Sequence, residues 1–180
     1  MCRRLFGLAA LLGLIVIVGQ AAEENPLKNA KVGDFVSYKV TTNMGATAMQ
    51  MEMKQTVVNK TETEVTMEVA TKVMGQEMKQ THTFKLNEKY DPRAPMQGKG
   101  DATFKELDKG EETITVGGKT MKTSWTSFET SYSAGANKVT TKGKAWVCPD
   151  VPLGGMVKTE MDMGAMGKSN MELVDFGRGK

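Results

Sequence analysis

The chain contains few of the residues that metal centres and disulfide frameworks require. Its 180 residues include only two cysteines and one histidine. These small numbers exclude a zinc site with several cysteines, a disulfide framework and an all-cysteine iron–sulfur cluster. The formal net charge at pH 7 is only +3, which provides no basic surface for nucleic acid. We therefore expect no cofactor and no nucleic-acid partner.

The sequence motifs of common catalytic sites are also missing. There is no Gly-x-Ser-x-Gly nucleophile elbow, no phosphate-binding glycine loop and no His-Glu-x-x-His metal motif. Neighbouring carboxylates such as Glu111 and Glu112 are typical of solvated turns or charged faces. Cys148 has no histidine near it in sequence, and a cysteine at the end of a buried strand usually behaves as a small hydrophobic residue. The sequence predicts a protein that is not an enzyme.

The N-terminus has the three parts of a signal peptide. Arg3 and Arg4 form a short basic start, residues 5–18 are apolar, and residues 19–22 end the leader with small side chains and one glutamine. Cleavage after Ala21 would place the small residues Gly19 and Ala21 at positions −3 and −1, which signal peptidases recognise. We expect the mature chain to be secreted or periplasmic, without a stable membrane span.

Two other interpretations of the leader remain open. Residues 5–22 approach the roughly 17 to 20 residues that span a bilayer, so the leader could be retained as an anchor. The residues Arg3-Arg4-Leu5-Phe6 also resemble a twin-arginine export signal, although the strongly apolar run suits general secretion better. Cys2 precedes the apolar run, so it cannot be the lipidated cysteine of a bacterial lipoprotein.

After the leader, apolar and polar residues alternate with a period of two, which is typical of half-buried strands. Between Met49 and Leu86 one side of each run is apolar and the other is charged. Residues 59–62, Gly75-Gln76 and Gly117-Gly118 interrupt the alternation and predict turns. Further strands are predicted over residues 34–44, 113–116, 119–128, 139–148, 156–163 and 170–176.

The connection in the middle of the chain breaks this alternation and predicts one short helix. Asp101 is a suitable N-cap, Phe104 and Leu107 share one helix face at i and i+3, and Gly110 is a suitable stop. We expect this helix to cross the sheet and pack inside it. A second short turn is predicted to begin at Asn25-Pro26.

Together these elements predict a mainly β protein. The expected architecture is a curved antiparallel sheet or half-barrel of about nine strands with one short helix. Its expected organisation is a signal peptide over residues 1–21, a single β-rich domain over residues 22–176 and a frayed tail over residues 177–180.

Methionine is the main large hydrophobic residue of this sheet. The sequence contains 15 methionines, whereas Ile114 is the only isoleucine after the leader. Most methionines are expected to fill the core, but their flexible thioether chains could also line a concave face for a lipid or another apolar ligand. The candidate ligand-binding residues are Met49, Met51, Met53, Met67, Phe84, Trp125 and Trp146.

A metal site is an alternative use of the same methionines. Met49, Met51 and Met53 place soft sulfur atoms at strand spacing, and His82 could add an imidazole. Thioethers together with one imidazole suit Cu(I). Alternating residues on an apolar face are, however, what any half-buried strand has, so the principal expectation is that no metal binds.

Three segments resemble a group of uncharacterised secreted bacterial β-proteins. They are Gly33-Asp34-Phe35-Val36-Ser37-Tyr38, the stretch WVCPDVPLGGMVK from Trp146 to Lys158, and Met171-Glu172-Leu173. These proteins are similar to the lipoprotein-carrier (LolA-like) type. The resemblance implies a curved antiparallel sheet closed over by helices, and it assigns no functional residue.

The sequence therefore predicts an exported, non-catalytic binding module. Its expected partner is a lipid or another apolar ligand, or a protein of the bacterial envelope. The alternatives are a Cu(I)-binding envelope protein and a purely structural interaction domain.

Overall fold

The computed structural model describes residues 25–45, 47–88, 103–134 and 137–180. The predicted leader and the predicted helix start at Asp101 lie outside these residues, so export by a signal peptide remains a prediction. Within the described residues, no helix is long and apolar enough to cross a membrane.

Nine strands follow one another along the chain. They are β1 Phe35–Met44, β2 Thr47–Lys60, β3 Glu64–Val73, β4 Gln76–Lys85, β5 Thr103–Val116, β6 Lys119–Ala134, β7 Asn137–Val147, β8 Met156–Asp162 and β9 Lys168–Gly177. They form one antiparallel sheet in the order β4-β3-β2-β1-β9-β8-β7-β6-β5. The first and last strands pair in the middle, while β4 and β5 lie at the two edges. The predicted sheet of about nine strands is confirmed, and it is not closed into a barrel.

Two hairpins turn through two residues with positive φ, as tight hairpins require. In the β3–β4 hairpin these residues are Met74 and Gly75, at φ 51° and 84°, so the predicted turn lay one residue too far along. In the β5–β6 hairpin they are Gly117 and Gly118, at φ 55° and 74°, as predicted.

The helix predicted over residues 101–110 is wrong, because residues 103–110 belong to the edge strand β5. The register against β6 shifts between Glu106 and Asp108, and this bulge explains the helix-like spacing of the apolar residues. Phe104 stacks on Phe128 of β6, with ring centroids 5.5 Å apart. Leu107 remains 47% exposed. The segment lies at the edge of the sheet and does not pack inside it.

The described residues contain only short 3-10 turns besides the strands. Asn25 caps the turn Pro26–Asn29 by accepting a hydrogen bond from the Leu27 N–H, which confirms the turn predicted at that position. A second turn, Gly164–Met166, joins β8 to β9. No α-helix closes the sheet within these residues, in contrast to the lipoprotein-carrier type.

The sheet is strongly curved between β9 and β6. Neighbouring strands lie about 4.8 Å apart, so three spacings would separate β6 from β9 by about 14 Å in a flat sheet. The β5–β6 turn nevertheless touches β9, because a Cβ added to Gly117 would lie 2.7 Å from the Val174 carbonyl oxygen. Lys119 also approaches Asp175, with 3.7 Å between Nζ and Oδ1. The second half of the sheet therefore folds toward its centre.

We call the side of the sheet that carries the main buried cluster the inner face, and the opposite side the outer face. Val36, Val57, Val65 and Val157 are buried on the inner face. One end is covered by the N-terminal turn and the β7–β8 loop, which contribute Leu27, Ala30, Val151 and Leu153 to the same cluster.

Candidate functional site

The methionines singled out in β2 and β3 lie together on the inner face. Met51, Met53 and Met67 are only 2%, 7% and 3% exposed. They are packed into the core, where most methionines were expected. Met49 and Phe84 also lie on this face but are only partly buried.

Burial on the inner face decreases from β1 toward the β4 edge. Val69 and Val73 of β3 are half-buried, and Met78 of β4 is 53% exposed. The register places Val73 beside Met51, and Met78 beside Thr71. We call this partly covered surface the open strip; its apolar members are Met49, Val69, Val73, Met78 and Phe84, and the polar residues Thr71, Gln80 and His82 lie among them on the same face.

The two candidate tryptophans lie on the outer face, away from these residues. Trp146 pairs with Trp125 on one side and with Lys158 on the other. Its sequence neighbour Ala145 points into the inner core. The seven candidate ligand-binding residues therefore do not form one surface: five share the inner face, and two belong to a different cluster.

This outer cluster consists of Trp125, Trp146, Lys144, Lys158 and Glu112. The Lys144 ammonium lies 4.0 Å from the ring centroid of Trp125 and 4.6 Å from that of Trp146. It also donates a hydrogen bond of 2.9 Å to the Glu112 carboxylate, which accepts a second one from the Trp146 indole. Each polar group thus has a partner, which is typical of a structural network.

The charges of the outer cluster perturb one another. Hydrogen bonds from Lys144 and then Trp146 hold the pKa of Glu112 below its ordinary value of 4.5. On the neighbouring strand, Glu160 raises the pKa of Lys158 by accepting its hydrogen bond. Both shifts favour the charged forms of these two side chains.

The sheet register separates the residues proposed for a copper site. Met53 shares a row with Thr71 and Met78, whereas His82 lies four residues further along β4 and shares a row with Met67. Four residues span about 13 Å along a strand, in addition to the two strand spacings that separate β4 from β2. His82 is therefore not brought to the methionines of β2. Among the described residues, no group of three His, Cys, Asp or Glu could hold a metal ion.

A cleft that no sequence motif indicates lies at the covered end of the sheet. It has a volume of about 510 Å³ and lies between the N-terminal turn and the β7–β8 loop, with Pro26, Ser124, Cys148 and Arg178 among its lining residues. Leu153 of this loop has φ 58°, a conformation that side chains with a Cβ rarely adopt. The Pro-Gly-rich stretch 149–155 was a signal for this loop but not for a cleft.

No protein-family model and no curated protein matches this chain. Among solved structures, it is similar to a "putative lipoprotein" from Parabacteroides distasonis, with 14% sequence identity and a TM-score of 0.57. The match covers 82% of this chain and 96% of the other. A "putative exported protein with YmcC-like fold" from Bacteroides fragilis matches at 11% identity and a TM-score of 0.48, over 83% of this chain and 97% of the other.

At this level of identity, the first likeness establishes a shared fold. It covers nearly the whole of the other protein, so the fold is shared with the Parabacteroides distasonis protein. A lipoprotein-carrier relationship in particular is not established by these matches.

Proposed function

We propose that this chain is an exported, non-catalytic module that binds the alkyl chain of a lipid or fatty acid on the open strip. The observation that carries the proposal is the gradient of burial across the inner face. Met51 is 2% exposed, whereas Met78, two strands further out on the same face, is 53% exposed. An alkyl chain laid over this strip would extend the core to the β4 edge.

The side chains of the strip suit a flexible apolar ligand. Met49 and Met78 have unbranched side chains that adapt to different shapes. Val69 and Val73 are β-branched, so their side chains have few rotamers and form a more rigid part of the surface. Each methylene that leaves water for such a surface contributes about 0.8 kcal/mol. Affinity should therefore rise with chain length, by roughly three- to fourfold for each added methylene.

Two further observations support export and a function other than catalysis. The N-terminal pattern is that of a signal peptide, and the solved protein with the same fold is described as a "putative lipoprotein". The carboxylate with a shifted pKa, Glu112, belongs to an outer network in which its charge is already compensated. In the proposed binding role the ligand contacts the inner face, and the outer cluster has a structural role only.

Binding can be tested with a naturally fluorescent fatty acid, cis-parinaric acid, added to the chain that begins at Ala22. Met78→Glu should weaken binding at least tenfold, because it places a carboxylate in the strip at an exposed position. Val174→Glu is the matched control. Val174 is 51% exposed on β9, four strands away, and this variant should bind like the wild type.

Competition by saturated fatty acids of increasing length provides the second readout. The proposal expects a steady gain in affinity with each methylene. No binding by the wild-type chain, or equal weakening by Met78→Glu and Val174→Glu in folded variants, would show that the strip is not the site.

A further inference from the structure

The edge strand β4 is regular along its whole length, and among the described strands it pairs with β3 alone. It pairs with β3 from Glu64–Lys85 to Val73–Gln76 without a register shift. The tight turn makes Val73 and Gln76 a hydrogen-bonded pair, so the even-numbered residues of β4 direct their backbone groups toward β3. The Leu86 N–H continues this pattern by donating to the Thr63 carbonyl at 2.7 Å.

The odd-numbered residues of β4 therefore direct their backbone groups away from the sheet. The Lys85 carbonyl accepts a hydrogen bond of 3.0 Å from the Asn25 side chain, which caps one end of the edge. Between that cap and the turn, the outward groups belong to Glu77, Lys79, Thr81 and Thr83. No other strand pairs with them within the described part of the chain. This row is a template for an additional strand.

We propose that the β4 strands of two copies of this chain pair antiparallel across a two-fold axis at Thr81. This register places Glu77 opposite Lys85 of the second copy, and the two-fold axis generates the same contact twice. On the inner face it places Met78 opposite Phe84 of the second copy. Both opposite charges and apolar pairs stabilise directly opposed positions in antiparallel strands.

Among two-fold axes at residues 79 to 83, only the axis at Thr81 places Glu77 opposite Lys85. An axis at Gln80 would place both Glu77 and Lys79 opposite threonines and would lose this charge pair. An axis at Lys79 would place two copies of the Lys79 side chain opposite each other. An axis at His82 would place Lys79 opposite Lys85. Like charges in directly opposed positions are unfavourable. Glu77 and Lys85 now contact Lys79 and Glu88 within their own chain, at 3.6 and 2.9 Å. All four side chains are more than half exposed, so they can change partners without unfolding.

The other edge strand, β5, does not offer the same surface. Its register against β6 shifts between Glu106 and Asp108, and such bulges turn an edge away from pairing. Glu111 lies further along the same edge and adds negative charge. Because β4 is the one competent edge of the sheet that the described residues form, assembly stops at a closed dimer and does not form a fibre. A single strand pair buries a small area, so we expect a dissociation constant in the micromolar range.

The association is tested by sedimentation velocity on the chain that begins at Ala22, from low micromolar to several hundred micromolar concentrations. The wild type should change from monomer to dimer over this range. Thr81→Pro removes an N–H that β3 does not use, and it should abolish the dimer. Thr113→Pro is the matched control: it removes an outward N–H of the β5 edge and should leave the dimer unchanged.

A charge-reversal cycle identifies the register without altering the backbone. Glu77→Lys and Lys85→Glu should each weaken dimerisation about five- to tenfold, since each brings two like charges together at two related contacts. The combined variant restores opposite charges and should dimerise like the wild type. A wild type that stays monomeric, a folded Thr81→Pro variant that still dimerises, or a combined variant that is not restored would overturn the proposal. Fatty-acid binding can be measured separately on the monomeric variants.

Discussion

The two halves of the sheet use glycine and large side chains in different ways. In the half formed by β1 to β4, Gly45 and Gly75 lie in turns with no atom within 4 Å of an added Cβ. In the half formed by β5 to β9, an added Cβ at Gly110 would lie 2.9 Å from the Trp125 ring, and one at Gly143 would lie 2.6 Å from the Phe128 ring. The first half is filled by adaptable methionines. The second half is shaped by rings packed directly against backbone.

The close contacts of the second half help to explain the curvature between β6 and β9. Because glycine has no side chain, rings and turns can approach the backbone of neighbouring strands closely, and the sheet bends around these contacts. The first half takes part in such contacts where it joins β9, since a Cβ added to Gly177 would lie 2.5 Å from the Phe35 ring of β1. Its own turns at Gly45 and Gly75 are open, and its edge β4 is regular. The comparison predicts that the two halves tolerate substitution unequally.

The largest expected loss of stability comes from removing a large buried side chain in the second half. Phe128 is fully buried, and it contacts both Phe104 and Gly143. Phe128→Ala should lower the free energy of unfolding by about 4 kcal/mol. The substitution removes a large ring, and the neighbouring backbone and rings are too rigid to fill the cavity that remains. Met51→Ala should cost about 2 to 3 kcal/mol, since the flexible methionines beside it can move into the space.

Urea denaturation measures both values, and equal slopes would show that the same surface is exposed in each variant. Equal losses for Phe128→Ala and Met51→Ala would contradict the difference in adaptability between the two halves.

The next effect concerns the turn that touches β9. Gly117→Ala should destabilise the protein by about 2 to 3 kcal/mol, because the new Cβ meets the Val174 carbonyl and the residue also has positive φ. Gly118→Ala has positive φ but open space, so it should cost only about 1 kcal/mol. Gly75→Ala provides the same comparison in the first half and should resemble Gly118→Ala. Thermal unfolding measures the three losses of stability. If Gly117→Ala lost no more stability than Gly118→Ala and Gly75→Ala, the turn would not depend on its contact with β9.

Much of the fold could be predicted from the sequence because period-two alternation directly reports a sheet with one buried face. The turn at Gly117-Gly118 was located correctly because positive φ strongly favours glycine. The first part of the edge strand β5 was predicted as a helix because Phe104 and Leu107 have the i, i+3 spacing of one helix face, whereas residues 113–116 were correctly predicted as a strand. In the structure a bulge near Leu107 interrupts the alternation. A bulge depends on the partner strand, and local sequence does not contain that information.

The candidate site was only partly predictable for a related reason. Trp125 and Phe128 were assigned to one strand, yet an odd separation places two residues on opposite faces of a regular strand. Parity therefore places Trp125 and Phe128 on opposite faces, but only the assembled sheet shows that Phe128 shares the face of the β2 methionines. The exposure of Met78 could not be deduced in this way, because it depends on β4 being the edge of the assembled sheet.

The smallest effect distinguishes the charged outer cluster from an ordinary surface pair. The pKa of Glu112 is lowered by Lys144 and Trp146 from 4.5, so its charged form stabilises the folded state above that pH. This contribution is lost as the pH falls through the lowered pKa. Glu112→Gln should therefore be less stable than the wild type at pH 7, and the difference should disappear in acid.

Glu68→Gln is the control, because it removes one carboxylate from the exposed pair with Lys79, at 3.4 Å, in the first half. Unfolding can be followed by fluorescence, since both tryptophans of the chain belong to the outer cluster. If Glu112→Gln and Glu68→Gln gave the same dependence on pH, the outer cluster would be equivalent to any surface ion pair. If only Glu112→Gln were less stable than the wild type at pH 7 and equally stable in acid, the Glu112 carboxylate and the tryptophan rings would together stabilise the curved half of the sheet.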